Sequence, residues 1–230
     1  MSDHAALDAA HAHARAFLDS VRDRPAGPSA TTAEVVEALG GPLPQGGTDP
    51  VAVIEHLVRA VEPGLVNSPG PRYFGWVMGG SVETALAADT LAVAWDQIAG
   101  IQIMSPAAAA AEEVAGAWLI ELLGLPADVS FGYTTGAQMA NFTALAAARH
   151  AVLRKAGWDV ERDGLQGAPR VRVFAGEQSH ATVYLALRYL GLGAPRQIPV
   201  DVEGRMLPEA LAAALAEGDE IGRASCRERV

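Results

Sequence analysis

The second half of the chain alternates strand-like and helical segments, and this alternation constrains the fold more than any other feature. The strand-like segments are predicted at 129–134, 171–175 and 196–201. A helix is predicted after each of them, over 137–155, over 179–190 and from Pro208 onward. Strands separated by helices pair in parallel, because the crossover helix brings the chain back to the same end of the sheet. The sequence therefore predicts an α/β domain with a mainly parallel sheet.

The residues before the first predicted strand are predicted to be helical. Apolar periodicity and helix-start signals favour helices at 5–21, 32–39, 50–61, 81–97 and 106–123. Two of these helices begin with a capping side chain followed by a proline at the first helical position, at Asp49 and at Ser105. We expect an N-terminal helical segment over 1–70 and the α/β domain over 71–219.

The final residues, 220–230, are predicted not to belong to the natural protein. They resemble the translation of a sequencing adapter, and a natural basic tail is the alternative. Their dense charge and lack of apolar periodicity predict that they are unstructured and pack against nothing. Because the sheet would then lack strands, we also expect the α/β part to expose an unusually large apolar surface.

Charge and hydropathy narrow the classes of partner. The formal net charge is −10, which disfavours binding to the phosphate backbone of nucleic acids. Residues 1–24 contain no continuous apolar segment, and the alanine run at 107–111 is too short to span a bilayer. We therefore expect a cytoplasmic protein without nucleic-acid or membrane partners. No metal site is predicted, since even His11 and His13 have the wrong spacing to share a helical face.

The turn that follows the first predicted strand has features of a phosphate site. It contains Gly136, Ala137 and Gln138 within the segment TTGAQMAN. Small residues let the backbone approach a ligand, and the free N–H groups and dipole of a helix start favour an anion. Many strand–helix turns of this kind bind nothing, so that alternative stays open. The segment matches neither the nucleotide P-loop nor the dinucleotide Gly-x-Gly-x-x-Gly pattern.

Two further segments are candidates for the same site. His180 follows the second strand, where an imidazole could stack on a flat ring or move a proton near neutral pH. The alternative is that Ser179 caps the next helix and His180 is an ordinary first-turn residue. An aromatic loop with Tyr73, Phe74 and Trp76 could line a substrate pocket, or it could only pin the loop to the core.

Five segments between Asn67 and Ala216, taken in order, resemble one known family. They are NSPGPRYFGW, SPAAAAAEEVAGAWLIELLGLP, YTTGAQMANFTALAAARHAVL, VFAGEQSHATVYLALRYLGLG and VDVEGRMLPEALAAAL. The chain resembles the group II pyridoxal-phosphate decarboxylases, which include the aromatic-amino-acid, glutamate and histidine decarboxylases. Each motif alone is loose, but the five together, in this order and spacing, are specific.

The resemblance implies a fold type I, PLP-dependent transferase-like large domain, here truncated and preceded by the helical segment. It implies pyridoxal 5'-phosphate (PLP) as cofactor, an L-amino acid as substrate and a homodimer with the active site at its interface. Backbone groups of Gly136, Ala137 and Gln138 would hold the phosphate, and His180 would stack on the pyridine ring. We therefore expect Gly136 and His180 on the same side of the sheet. The aromatic loop would shape the substrate pocket.

The resemblance also implies chemistry that this chain does not complete alone. In the family a lysine forms the resting Schiff base with the cofactor, and an aspartate pairs with the pyridinium nitrogen. Both lie downstream of the matched segments, so the Schiff-base lysine is absent from the chain. Lys155, its only lysine, lies too early in the sequence. We expect amino-acid decarboxylation from a full-length parent and no activity from this chain.

Two other functions stay open on the sequence. The parent could be a different fold type I enzyme, such as an aminotransferase or an aldehyde-releasing relative. The region of the Schiff-base lysine and the ligands of the substrate carboxylate would distinguish these enzymes from a decarboxylase. The parent could also be a non-catalytic binding or assembly module that never had the lysine.

Overall fold

The computed structural model describes residues 4–76, 78, 80–217 and 223–225. The helices are α1 (Ala5–Ser20), α2 (Thr32–Leu39), α3 (Pro50–Val61), α4 (Glu83–Trp95), α5 (Pro106–Leu122), α6 (Ala137–Lys155), α7 (Val160–Asp163), α8 (Ala181–Tyr189) and α9 (Pro208–Ala216). A 3₁₀ turn, Glu62–Gly64, follows α3. The strands are β1 (Arg172–Gly176), β2 (Arg196–Ile198) and β3 (Arg223–Ser225).

Side-chain caps start two of the helices where the sequence predicts them. The Asp49 carboxylate accepts a hydrogen bond from the Ala52 N–H at 3.0 Å, directly before Pro50 of α3. The Ser105 hydroxyl accepts one from the Ala108 N–H at 3.2 Å before α5. Each cap satisfies a backbone donor that has no partner inside the helix, so the helix begins at that residue. These two predicted helix starts are confirmed.

The chain divides into two compact units, Met1–Ile98 and Ala99–Val230. In the first unit, α3 packs against both α1 and α2. The buried Asn67 side chain donates a hydrogen bond from Nδ2 to the Val21 carbonyl at 2.8 Å, just past the end of α1. This bond anchors the start of the segment NSPGPRYFGW. The domain limits expected from the sequence, at residues 70 and 219, stay predictions.

The second unit contains a parallel sheet in the strand order β2–β1–β3. Gly176 of β1 pairs with Ile198 of β2, and Arg172 of β1 pairs with Arg223 of β3. Helix α8 links β1 to β2, as a parallel pair requires. The predicted parallel α/β arrangement is confirmed for these strands.

Successive residues of β1 face opposite sides of the sheet and pack on different helices. Val173 packs against a buried cluster from α6, α8 and the residue that follows α8. The members of that cluster are Leu145, Val183, Ala186, Leu187 and Leu190. Phe174, which points the other way, is buried with Ile198 and with Ala214 of α9. Both faces of the strand pair are therefore covered by helices, as is usual for parallel sheets.

The prediction of a strand at 129–134 is wrong. A strand exists only where a neighbouring strand takes up its N–H and C=O groups, and none of the described residues pairs with this segment. Its aromatic residues pack locally instead, with the Phe131 and Tyr133 ring centroids 6.0 Å apart in an edge-to-face arrangement. The short helix α7, which the sequence analysis did not single out, begins at the cap Asp159.

The prediction that the tail is unstructured and packs against nothing is wrong for Arg223–Ser225. These residues form β3 and pair in parallel with β1. The physical reason is that β1 has a second edge, and an unpaired strand edge binds any extended backbone that reaches it. The rest of the tail, 220–222 and 226–230, lies outside the described residues.

Large apolar side chains are exposed on α5 and just before it, and an unusually large apolar surface of the α/β part stays a prediction. Ile103 is 88% exposed, Trp118 is 70% exposed and Leu122 is 80% exposed. Side chains of this size are normally removed from water by a partner surface. Among the described residues, no helix is long and apolar enough to cross a membrane.

The cluster shared by α6 and α8 should dominate the stability of the second unit. Leu187 is 0% exposed there, so Leu187→Ala leaves a cavity and should lower the free energy of unfolding by about 2–5 kcal/mol. Leu122→Ala, the same change at an 80% exposed position, should alter it by less than about 0.5 kcal/mol. Urea denaturation followed by circular dichroism measures both. Equal losses in the two variants would contradict this core.

Candidate functional site

Gly136 precedes α6 and has a backbone conformation that favours glycine. Its φ is 150° and its ψ is 174°, a region that residues with a Cβ rarely adopt. A Cβ added there would meet no heavy atom within 4 Å, so space is open in front of the backbone. The Thr134 hydroxyl donates a hydrogen bond to the Gly136 carbonyl at 3.2 Å and helps to close the turn. The turn therefore depends on the glycine conformation of Gly136, and the space where a Cβ would lie is open.

The start of α6 has the properties of an anion site. The residue before the helix, Gly136, has no side chain and so cannot cap the first N–H groups. The helix is 19 residues long, so its aligned peptide dipoles place partial positive charge at Ala137 and Gln138. An open backbone with uncapped donors is the arrangement that phosphate groups use at helix starts. The residues present fit a phosphate ester.

His180 is the cap of α8. Its ring Nδ1 accepts a hydrogen bond from the Thr182 N–H at 3.2 Å, and the Thr182 hydroxyl lies 2.9 Å from the same nitrogen. Ser179 does not cap this helix, and its own N–H donates to the Gly176 carbonyl at 2.9 Å. The ring is exposed, so one edge is held by the helix while the faces stay accessible. His180 is therefore a fixed, accessible imidazole at the carboxyl end of β1.

Thr182 joins the start of α8 to the start of α6. The Gln138 side chain donates from Nε2 to the Thr182 carbonyl at 3.4 Å. The Asn141 side chain donates from Nδ2 to the Thr182 hydroxyl at 3.0 Å. The structure thus brings Gly136, Gln138 and His180 together at one end of the α6–α8 pair. The Gln138 side chain is engaged with Thr182, which leaves its backbone N–H as the group directed to an anion.

Sequence reasoning did not single out Asn141 and Thr182. Both lie within the first turns of their helices, where their own segments show only ordinary polar residues. A hydrogen bond between residues 41 positions apart has no local sequence signal. The available signal was positional, because two helices that follow neighbouring segments of a parallel α/β unit begin at the same edge of the sheet.

The aromatic loop belongs to the first unit. Phe74 is 91% exposed and Trp76 is 90% exposed, whereas Tyr73 is half-buried and its hydroxyl donates to Met78 Sδ at 3.5 Å. Trp76 has a φ of 56°, which is unusual for a bulky residue. Gly136 and His180 belong to the second unit, so the role of the aromatic loop in a substrate pocket stays a prediction.

The charged groups around the end of β2 are paired locally. The Asp201 carboxylate accepts hydrogen bonds from the Arg205 N–H at 3.0 Å and from the Arg205 Nε at 2.8 Å. These bonds lower the pKa of Asp201 below its ordinary value, the backbone bond first and the guanidinium next. Asp201 therefore stabilises its own turn. Among the described residues, no three His, Cys, Asp or Glu side chains are grouped to hold a metal ion.

A cleft of ≈ 580 Å³ lies at the opposite, amino-terminal end of β1 and β2. Its charged lining includes Arg170, Arg172, Arg196 and Glu217. The Arg196 guanidinium is bound to Glu217, with Nη2 donating to Oε1 at 3.1 Å, and Arg172 donates to the Ala214 carbonyl. This cleft is separate from the helix starts that carry Gly136 and His180. In α/β folds the ligand-binding edge is the carboxyl end of the strands, which favours those helix starts.

Comparison with known proteins assigns the chain to a family. Residues 37–226 match the family model described as the pyridoxal-dependent decarboxylase conserved domain. The chain therefore belongs to the pyridoxal-dependent decarboxylase family, and the resemblance inferred from its motifs is confirmed.

Individual relatives agree with this assignment. Tryptophan decarboxylase 1 of Oryza sativa subsp. japonica is 28% identical over 203 residues, which cover 81% of this chain and 38% of that protein. The aromatic-L-amino-acid decarboxylase of Bacillus atrophaeus is 29% identical over 149 residues, 65% of this chain and 29% of that protein. The crystal structure of Oryza sativa TDC with PLP and tryptamine has a TM-score of 0.84 and 25% identity, over 98% of this chain and 51% of that chain.

The chain thus spans about half of the solved relative and a smaller share of the curated relatives. The likeness to the solved structure extends over both compact units of this chain. The α/β fold of these decarboxylases, expected from the sequence, is confirmed for the part that this chain contains.

The conformation of Gly136 generates a stability prediction. Gly136→Ala should lower the free energy of unfolding by about 1–3 kcal/mol, because alanine is strained at this φ and ψ although space is available. Gly132→Ala is the matched control, since a Cβ there also meets nothing within 4 Å and no positive φ is required. Chemical denaturation of both variants is the measurement. A Gly136→Ala variant as stable as Gly132→Ala would refute the strained turn.

Proposed function

We propose that the full-length parent is a PLP-dependent decarboxylase of an L-amino acid. The observation that carries this proposal is the Thr182 link, which joins the uncapped start of α6 to the start of α8 with its exposed His180 ring. Family membership makes PLP the cofactor that these two groups would serve. The 230-residue chain supplies part of that site and is expected to be inactive alone.

The phosphate of PLP would bind at the turn that starts α6. Gly136 leaves its outer face open, and the N–H groups of Ala137 and Gln138 supply donors near the positive end of the helix dipole. The partial positive charge at the helix start would offset part of the charge of the phosphate. These backbone groups hold the cofactor and take no part in moving protons.

His180 would lie against the ring of the cofactor. When bound, PLP supplies an electron sink for the negative charge left at the α-carbon after carbon dioxide departs. The contribution of His180 is to cover one face of that ring and keep water away from it. Its Nδ1 is occupied by Thr182, so only Nε2 can offer a proton to the substrate side.

Lys155 does not fit the role of the lysine that binds PLP. It is the last residue of α6, whereas Gly136 precedes the first. Nineteen helical residues span about 28 Å, so Lys155 lies far from the start of the helix. We place the Schiff-base lysine and the aspartate partner of the pyridinium nitrogen in the part of the parent that matches the remaining half of its relatives.

The aromatic loop supports a substrate pocket in the assembled enzyme. Phe74 and Trp76 are almost fully exposed, which is costly unless a ligand or another surface covers them. With Tyr73 they provide apolar surface beside which an amino-acid side chain can bind. The proposal assigns these residues to substrate recognition and leaves catalysis to the cofactor site. A cytoplasmic location stays a prediction from the sequence.

Loss of the imidazole tests the proposed chemistry. In the full-length parent, His180→Ala should lower kcat for carbon dioxide release by about 10²-fold or more, with little change in PLP content. The phosphate contacts remain in this variant, so the cofactor is retained. His150→Ala is the control, because His150 is on the same protein but near the other end of α6. Rate and cofactor absorbance are measured together.

Three results would contradict the proposal. Equal activity in His180→Ala and wild type would remove His180 from the site. A parent that binds no PLP would refute the function. A parent that converts the amino acid to an aldehyde or an oxo acid, without the amine product, would assign it to another PLP-dependent activity.

The parent is proposed to be a homodimer. Separately from that proposal, the exposed apolar side chains of α5 predict that this 230-residue chain associates with itself. We expect this chain to elute above its monomer mass, because Trp118 and Leu122 expose large apolar surfaces. The double variant Trp118→Gln, Leu122→Gln should shift the mass toward the monomer. Leu43→Gln, at an 83% exposed loop position, should not. Light scattering coupled to size exclusion measures the mass. A monomeric wild-type chain would contradict an association surface on α5.

A further inference from the structure

We propose that Asn141 and Thr182 are positioning residues that hold the His180 ring in one tautomer and one orientation. Neither residue is among those predicted to bind the cofactor or the substrate. The proposal deepens the proposed function, and its relevance to PLP rests on that function. The hydrogen bonds themselves form within this chain and need no cofactor.

The first step concerns the ring nitrogen that faces Thr182. A backbone N–H can only donate, and the Thr182 N–H lies 3.2 Å from His180 Nδ1. Nδ1 must therefore accept, which leaves it without a proton. In the neutral imidazole the proton is then on Nε2, the nitrogen that points away from the helix start.

The second step concerns the direction of the Thr182 hydroxyl. This hydroxyl lies 2.9 Å from Nδ1 and has a single proton to donate. The Asn141 side chain donates from Nδ2 to the same oxygen at 3.0 Å, which occupies a lone pair. The hydroxyl proton is thereby left for Nδ1. A chain of donors runs from Asn141 through Thr182 to His180, and each member is oriented by the one before it.

The third step connects these hydrogen bonds to the Gly136 turn, which is the proposed phosphate site. The Thr182 carbonyl accepts from Gln138, while its hydroxyl accepts from Asn141, and both donors lie in the first two turns of α6. Thr182 and Asn141 are partly buried, so these bonds are shielded from competing water. The imidazole is thus held at a constant position relative to the start of α6. A ring whose Nδ1 accepts a bifurcated hydrogen bond from the N–H and hydroxyl of Thr182 presents a stable face to a flat ligand.

Nitrogen-15 NMR of the histidine side chains tests the proposal on the full 230-residue chain without cofactor. His180→Gln identifies the His180 signals by their loss. In the wild-type chain at alkaline pH, we expect a protonated Nε2 and an unprotonated, hydrogen-bonded Nδ1. A proton on Nδ1 would overturn the proposal by itself, whether or not any variant folds.

Two variants then test the donor chain. Thr182→Val keeps the shape and the backbone N–H but removes the hydroxyl, so the Nδ1 resonance should move downfield, toward that of a nitrogen with a weaker hydrogen bond. Asn141→Asp keeps the shape but accepts the hydroxyl proton, so the fraction of His180 with a proton on Nδ1 should rise. Thr182→Ser should restore the wild-type spectrum, and Thr143→Val, at an exposed position of α6, should leave it unchanged.

Unchanged His180 signals in both Thr182→Val and Asn141→Asp would overturn the proposal. Circular dichroism identifies a variant that fails to fold. In that case the remaining folded variant, together with the tautomer of the wild-type chain, tests the proposal. The outcome is independent of the proposed function. If the chain has the expected tautomer but the parent lacks PLP-dependent activity, the positioning role is supported and the proposed function is refuted. If the parent is active but His180 has its proton on Nδ1, the proposed function is supported and the positioning role is refuted.

Discussion

The packing of α6 against α8 is the interaction on which the candidate site depends. Leu145, Val183 and Leu187 are buried between these helices, and Val173 of β1 packs on the same cluster. Because the two helices are held side by side with their starts at one end, Gln138 and Asn141 can reach Thr182. The apolar contacts supply the stability, and the polar contacts at the helix starts set the relative position of the Gly136 turn and the His180 imidazole.

Local chemistry made much of the fold predictable. The limits of α6 follow from the glycine turn before it and the Gly157 after it, and the start of α3 follows from Asp49 and Pro50. These features act within a few residues, so the sequence carries them directly. The positions of Gly136 and His180 near helix starts were predictable for the same reason, and their role in binding a cofactor stays a prediction.

Nonlocal contacts account for what the sequence did not predict. The segment 129–134 has strand-forming residues but no strand partner among the described residues, while Arg223–Ser225 has little strand character and pairs with an available edge of β1. Asn141 and Thr182 gain their significance only from a hydrogen bond across two helices. The cap of α8 is His180 rather than Ser179, which depends on the direction of the imidazole.

The central claim is that the start of α6 and His180 together bind PLP. A crystal structure of the full-length parent with PLP tests this most directly. We predict that the phosphate accepts hydrogen bonds from the N–H groups of Ala137 and Gln138, and that the His180 ring lies against the pyridine ring. A cofactor bound elsewhere, or a phosphate held without these N–H groups, would contradict the claim.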